Sequence, residues 1–328
     1  MELSYCVVNT NGRDLLLECL RSIRETHPEG AEHEILVLDN ASDDGSVEAV
    51  EASFPGVRVI RREQRAGLAA NNSLIMSEAR GDLCLLLNED SELLDGAVGE
   101  LLEALHGNPG AAVAGAQLVS PDGSPIPCAW RFPSLGTALA QALLLHRRLV
   151  TQSRGGDGPP REVGWVQSCT MLLRRDVAEA VGYLDADFFV YSEEVDFQKR
   201  IHDSGWRILH VPRARAIHHE QLATDRSPGG RRRIVQFHRG RDLYMRKHHS
   251  KPVVLLSRGL WAASYVPRAI AAVFMRDQDP GTYWLHACQA LRPSRGEGMR
   301  EAAEAYNLAH PGGGAQVPER SSSRAATS

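Results

Sequence analysis

The sequence predicts an α/β protein: a Rossmann-like, mixed but mostly parallel central sheet with helices on both faces, followed by a helical C-terminal extension. Three observations predict it. Strand and helix periodicities alternate four times over roughly the first ninety residues, with short connections, as βαβ units do. The run Leu83-Cys84-Leu85-Leu86-Leu87 is apolar without alternation, the pattern of a strand buried on both faces. That run stops abruptly at Asn88-Glu89-Asp90. The carboxyl ends of parallel strands are where open α/β sheets bind ligands, so two carboxylates there point to a metal or a phosphate, against the alternative of a plain polar turn.

Tyr5-Cys6-Val7-Val8 reads as the first strand and Asn9 to Arg13, with Asn11, as its turn. Leu16, Leu20 and Ile23 then fall on one face of a helix. Glu34-Ile35-Leu36-Val37-Leu38 is the second strand. It ends in Asp39-Asn40-Ala41-Ser42-Asp43-Asp44-Gly45-Ser46, after which Val47, Val50 and Phe54 recur at helical spacing. Val57-Arg58-Val59-Ile60 is the third, leading through Arg65 to Asn72 into a helix that runs to about Ala79. Polar clusters at Asn9, Asp39 and Asn88 then stand at one sheet edge and describe a binding site for a polar ligand. No G-x-G-x-x-G follows the first strand and no G-x-x-x-x-G-K-[ST] occurs, which argues against a dinucleotide-dependent oxidoreductase and a P-loop NTPase.

Val98, Leu101, Leu102 and Leu105 mark the next helix, Ala111 to Val119 a further strand, and Ser120-Pro121-Asp122-Gly123-Ser124 a turn. Residues 125–162 carry little pattern, with 153–160 read as an exposed loop. Val163 to Leu173, through Trp165, Ser168 and Cys169, predicts one strand with small polar residues at its centre. Asp176, Glu179 and Gly182 predict a short capped helix. Phe188-Phe189-Val190-Tyr191 leads into Ser192-Glu193-Glu194-Val195-Asp196 and a helix to about Ser204. The helix dipole alone would favour acids at that N-terminus. The aromatic run implies burial, however, where closely set carboxylates need a partner or a task. Trp206 to Val211 is the last strand, ended by Pro212, and His218-His219 follows, as ligands or as ordinary surface or core residues.

The 328 residues can bury one large core and still carry a small second unit. A formal charge of −4 hides an uneven distribution: residues 1–198 carry 15 basic and 31 acidic side chains, residues 199–275 carry 16 and 4. A nucleic-acid partner is not expected; the basic stretch suits phosphates or an anionic lipid surface, or is simply solvated. Cys6, Cys19, Cys84, Cys128, Cys169 and Cys288 form no C-x-x-C pair, and Cys6 and Cys84 fall in buried strands, so reduced thiols in the cytoplasm are expected. Because the first residues read as a strand, no cleaved signal peptide is expected, and no apolar run reaches the roughly 18–20 residues of a spanning helix.

Taken in order, Asn9 to Arg13, the Asp39 to Ser46 turn, Asn71, Asn88-Glu89-Asp90, Glu193-Glu194-Val195-Asp196 and His218-His219 resemble glycosyltransferase family 2, inverting enzymes of the GT-A fold that use nucleotide-diphosphate sugars. The resemblance covers roughly residues 3–250. Ser120 to Ser124, Val163-Gly164-Trp165 with its small-residue continuation, and Tyr191 to Asp196 look like the bacterial rhamnosyltransferases of cell-wall and polysaccharide assembly. The chemistry is compatible: displacing a nucleoside diphosphate from an anomeric carbon needs a cation for the leaving group and a base for the acceptor hydroxyl. The resemblance implies Mg²⁺ or Mn²⁺ at Asp90, completed by His218 or His219, with His218 preferred. It implies a donor site made by Asn9, Asn11, Asp39, Asn40, Asp43 or Asp44, Asn71, Asn88 and Glu89, and acceptor contacts at Trp165, Ser168 and Cys169. Glu194 is the candidate base, with Glu193 and Asp196 as alternatives. Asn88 stands for the first aspartate of the usual D-x-D, and Glu194 for an aspartate.

The predicted organisation is a catalytic unit over 1–220, with a nucleotide-sugar half over 1–110 and an acceptor half over 111–220, a basic helical region over 221–310, and a disordered tail over 311–328. Arg231-Arg232-Arg233, Arg239, Arg241, Arg246 and Lys247 could close over the donor diphosphate, hold an anionic lipid carrier, or form a solvated face. Residues 253–275, interrupted by Pro267, read as two short amphipathic helices that lie at the inner face of a membrane or pack on the catalytic unit. The expected partners are thus a nucleotide-diphosphate sugar and a glycan or lipid-linked acceptor. Three readings compete: a rhamnosyl-type transferase, a same-fold transferase with a UDP-hexose or galactofuranose donor, and a nucleotide-sugar-binding protein without catalysis. A nucleotidyltransferase lacks its glycine-rich, lysine-bearing signature after the first strand.

Overall fold

The computed structural model describes residues 1–153, 155–219, 228–275 and 278–311, so the expectation for the tail falls almost wholly outside them. The alternating half forms as read: β1 (Leu3–Asn9), α1 (Arg13–Thr26), β2 (His33–Asp39), α2 (Ser46–Ser53), β3 (Arg58–Arg61), α3 (Leu68–Glu78) and β4 (Leu83–Asn88). Its strands lie parallel in the order β3-β2-β1-β4. Burial on both faces explains the unbroken apolar runs. Tyr5, Val7, Leu85 and Leu87 pack with Leu16, Leu20 and Ile23 of α1 on one side; Cys6, Val8, Cys84 and Leu86 pack with Ile75 and Met76 of α3 on the other. Truncating such a residue, Leu85→Ala for instance, would cost about 2–5 kcal/mol. Asn9 pairs with Asp39 and Val8 with Asn88, which brings the three polar strand ends to one edge.

The second half contains β5 (Ser91–Leu93), α4 (Ala97–His106), β6 (Ala111–Val119), β7 (Ala129–Trp130), α5 (Leu135–Ala142), α6 (His146–Leu149), β8 (Arg161–Glu162), β9 (Trp165–Val166), β10 (Thr170–Arg174), α7 (Arg175–Ala180), a 3-10 turn at Ala186–Phe188, α8 (Glu193–Asp203) and β11 (Arg207–His218). β10 enters antiparallel between β4 and β6, and the sheet continues through β11 to β5, with β8 on β11. Four helices complete the chain: α9 (Pro228–His248), α10 (Lys251–Ala272), α11 (Pro280–Leu291) and α12 (Met299–Ala309). A third core cluster joins them to the sheet unit through Phe188, Val195, Tyr244, Val254 and Trp261.

Four expectations are corrected. Residues 163–173 are not one strand: β9 pairs with β7 in a separate small sheet, and the chain turns at Gln167–Cys169 before β10. The turn is held because the Cys169 carbonyl accepts from the Asn88 amide at 3.3 Å and from Ser91 Oγ at 3.0 Å. Pro212 does not end the last strand, because it falls in the register shift between Val211 and Arg215, where the ladder with β6 requires no amide from it. Asp176 does not cap α7; it lies inside the helix and accepts from the Val177 amide. Residues 253–272 belong to one helix and not two, with Pro267 on its exposed side and a turn at 273–274. All six cysteines are free, five of them buried. Among the described residues no helix is long and apolar enough to cross a membrane.

Candidate active site

A cleft of about 520 Å³ opens at the carboxyl ends of β1, β2 and β4, where Asn11, Asn40, Asn71, Asn88, Glu89 and Asp90 line it. Asn9, Asp39, Asp43 and Asp44 do not line it; they build its frame. Asn9 donates to Asp39 Oδ1 at 2.9 Å and receives the Gly12 amide at 3.1 Å, and Asp39 Oδ2 accepts from the Ser42 amide at 3.0 Å. Asp43 is tied to Asn11 in both directions, at 2.8 and 2.9 Å. Asp44 accepts from the amides of Arg13 and Ser46 and so fixes the starts of α1 and α2. Asn40 bonds both the amide and the carbonyl of Ala66, clamping the chain that enters α3.

A smaller cavity of about 320 Å³ adjoins the cleft, sharing Asn88, Asp90 and Arg233 with it and adding Ser168, Cys169, Glu193, Glu194 and His218. Trp165 stays outside, stacked on Trp130 at 4.5 Å with its indole N–H donating to the Arg131 carbonyl. Asp196 also stays outside. It is fully buried and accepts from Arg200 at 2.9 Å, Lys247 at 3.0 Å and His248 at 2.8 Å, an ion-pair hub that joins α8 to α9.

The glutamate pair is delivered by a strained segment. Phe189, Tyr191 and Ser192 all have positive φ, between 67° and 71°, a conformation side chains disfavour. Two glycines make room for it: a Cβ at Gly67 would lie 2.4 Å from the Phe189 carbonyl oxygen, and one at Gly240 would lie 2.1 Å from that of Tyr191. Glu193 is 2% exposed. Oε2 of each glutamate is buried without a hydrogen-bond partner among the described residues. Burial, then the neighbouring Glu194 charge, pushes Glu193 well above the ordinary carboxylate range; burial pushes Glu194 up too, opposed first by its backbone amide and then by the Glu193 side chain. Burial and the Asp90 charge push Glu89 up to about 8.

At the junction of cleft and cavity His218 Nε2 lies 3.2 Å from Asp90 Oδ1. His218 Nδ1 is buried and makes no hydrogen bond among the described residues. A hard carboxylate and an imidazole, with room for phosphate oxygens and water, fit a divalent cation that takes few protein ligands. His219 instead pairs with Glu92, both half-buried, and with Glu18 forms a separate acidic cluster.

The sequence reading passed over Thr10, Arg65, Gln167, Phe189 and Met299, all of which line these two spaces. Met299 comes from α12, whose Asn307 donates to the Arg65 carbonyl at 2.9 Å and accepts the Arg65 amide at 2.7 Å. Sequence separation hid this contact. Gly12 did carry a signal, since any Cβ there would meet Glu89 Cγ at 2.7 Å.

A parallel βα half joined through an antiparallel strand to a second half that carries buried carboxylates is the architecture of a GT-A glycosyltransferase. Residues 4–182 match the family described as "Glycosyl transferase family 2", and the chain belongs to that family. It is 29% identical over 233 residues to the N-acetylglucosaminyl-diphospho-decaprenol L-rhamnosyltransferase of Mycobacterium tuberculosis, covering 66% of this chain and 75% of that protein. Its fold is shared with a mannosyltransferase from Pyrobaculum calidifontis solved with GDP-Man and Mn²⁺, at TM-score 0.57, 16% identity, and 94% and 79% coverage of the two chains. It is likewise shared with S. aureus TarS solved with UDP-GlcNAc, at TM-score 0.55, 14% identity, and 89% and 82% coverage.

Proposed function

We propose that this glycosyltransferase moves rhamnose from dTDP-rhamnose, with inversion, onto a glycan or lipid-linked acceptor, in a reaction that depends on Mg²⁺ or Mn²⁺. The observation that carries the reading is the convergence of two pairs, Asp90 with His218 and Glu193 with Glu194, on one small cavity beside a polar cleft. The mycobacterial relative, named for an L-rhamnosyl transfer to a decaprenol-linked sugar, supports the donor and the acceptor class.

In this reading the cleft holds the nucleotide over the Asn40 and Asn71 side, framed by Asn9, Asp39, Asp43 and Asp44. Asn88 and Arg233 face the diphosphate at the junction. Asp90 and His218 hold the cation, which would neutralise the leaving diphosphate. Glu194 takes the acceptor proton, while Glu193, the more strongly shifted of the two, keeps its own and donates to Glu194. Ser168 and Cys169 border the acceptor side. Residues 1–220 would then form the catalytic unit, with α9 to α12 packed on it.

Calorimetric titration with dTDP, UDP, GDP and their sugars, with Mg²⁺ or Mn²⁺ and then EDTA, tests this on the wild type and Asp90→Ala. Metal-dependent dTDP binding that the substitution abolishes is expected. Preference for a UDP-sugar would overturn the donor, and absence of nucleotide binding would overturn the site.

A further inference from the structure

The outer surface of the C-terminal helices inverts the usual rule for a solvent-facing helix, which turns its polar side outward. Between residues 252 and 275 every exposed side chain is apolar. Leu256, Gly259, Ala263, Val266, Ile270 and Phe274 recur at three- and four-residue spacing along α10 and its end, with Ile270 59% and Phe274 85% exposed. The opposite face of α10 is already occupied, since Val254, Trp261, Tyr265 and Ala269 are buried. On α11, which packs against α10, the exposed Trp284, Cys288 and Leu291 share one face. α5, which also packs against α10, runs into the exposed Leu143 and Leu144 before α6. The apolar face therefore spans several helices.

Charge selects the occupant. α5, α6, α10 and α11 contain no Asp or Glu, whereas Arg147, Arg148, Lys251 and Arg268 lie on them. Burial, and then the charges of Arg268 and Arg147, lower the pKa of His146, so basic side chains of α6 and α10 lie on the same side of the molecule as the face. A two-fold contact with a second copy would set these arginines against their own images, which like charges oppose. A bilayer with anionic headgroups satisfies both parts, apolar face and basic rim, and an exposed Trp suits its interface.

We propose that this face is where the protein docks onto an anionic lipid surface, with α10 and α11 lying in the plane of the interface. Ile270, Phe274 and Trp284 enter the acyl boundary, and Arg147, Arg148 and Lys251 meet the headgroups. The proposal deepens the lipid-linked-acceptor reading and rests on it only for its purpose. The inner face of α10 shares a core cluster with Val195 of α8, the helix that begins with Glu193 and Glu194, so docking would hold the catalytic cavity at a fixed height over the bilayer.

Flotation of the full chain with phosphatidylglycerol or phosphatidylcholine vesicles, free of any acceptor, tests this. Binding to phosphatidylglycerol that weakens with salt is expected. The double substitution Ile270→Glu with Phe274→Glu should lower it by at least about tenfold, the loss implied by withholding one large apolar side chain from lipid. Arg147→Glu with Arg148→Glu should remove the preference for the anionic lipid. Circular dichroism and nucleotide titration on the same variants separate loss of docking from loss of fold or of the donor site; a failure of the transferase reading would appear in the titration and leave flotation unchanged. Wild-type protein that does not float, or an apolar double variant that floats equally well, would overturn the proposal. So would a dimer that the double variant converts to monomer without any vesicle binding, which would give the face to a second copy.

Discussion

Glu193 and Glu194 are neighbours in one helical turn, and the proposed mechanism gives them different tasks. In the proposed reaction Glu193, pushed up by burial and by the Glu194 charge, keeps its proton, and Glu194, also raised by burial but opposed by hydrogen bonds to it, ionises first. Glu194→Gln should therefore lower kcat by about 10²–10⁴-fold while nucleotide binding by calorimetry stays intact. Glu193→Gln retains a donor and should keep most activity, whereas Glu193→Leu removes it. Because the base acts ionised and its pKa is raised, activity should be lost as pH falls through a value above the ordinary carboxylate pKa of about 4.3. In Glu193→Leu that acidic limb should move to still higher pH. Kinetics in which Glu193→Gln is dead and Glu194→Gln active would reverse the assignment.

At the scale of elements, the segment from Phe189 to Ser192 stands out because its three positive-φ residues are held from two sides. The Phe189 carbonyl accepts from the Ala69 amide of α3, and Gln236 of α9 donates to the Phe188 carbonyl. Gly240→Ala tests the dependence. In an ordinary helix interior this change would stabilise by roughly 0.5–1 kcal/mol. Here the methyl would strike the Tyr191 carbonyl oxygen, so lower stability together with a larger drop in kcat than in nucleotide affinity is expected, measured by urea unfolding and steady-state kinetics. α12 makes a second, looser closure. Its Asn307 pairs with the Arg65 backbone, and Tyr306 lies under the Arg65 guanidinium at 3.4 Å and bonds Asp43 at 3.1 Å. Asn307→Ala removes two hydrogen bonds worth about 1 kcal/mol each. Hydrogen exchange over residues 299–309 should accelerate by about tenfold or more, with the sheet unchanged.

Across the whole molecule, what was legible in the sequence is what local pattern determines. β1, β2 and β4 could be read because burial on two faces leaves runs of mostly apolar residues, and their polar ends because a parallel sheet must expose that edge. The strained glutamate turn, the break at Gln167 and the α12 closure depend on contacts between segments far apart in the chain, and Pro212 and Pro267 were overruled by a bulge and by an exposed helix face. Tertiary burial also leaves a trace in acid. His210 is fully buried, with Cys128 Sγ 3.6 Å away, and burial with the Arg161 charge lowers its pKa to about 4. His286 is lowered to about 4 as well, by burial and the charges of Arg241 and Arg268. A histidine with a depressed folded pKa binds fewer protons folded than unfolded, so its effect is absent above the unfolded value of about 6.5 and destabilises progressively as pH falls toward about 4. At pH 5.5 each should contribute about 1 kcal/mol of destabilisation. The buried glutamates titrate with the opposite sign, so the quantity to compare is the change in unfolding free energy between pH 7.5 and 5.5 in wild type and in His210→Gln. The substitution should reduce the acid loss by about 1 kcal/mol. Equal losses in the two proteins would mean that His210 is protonated inside the folded core.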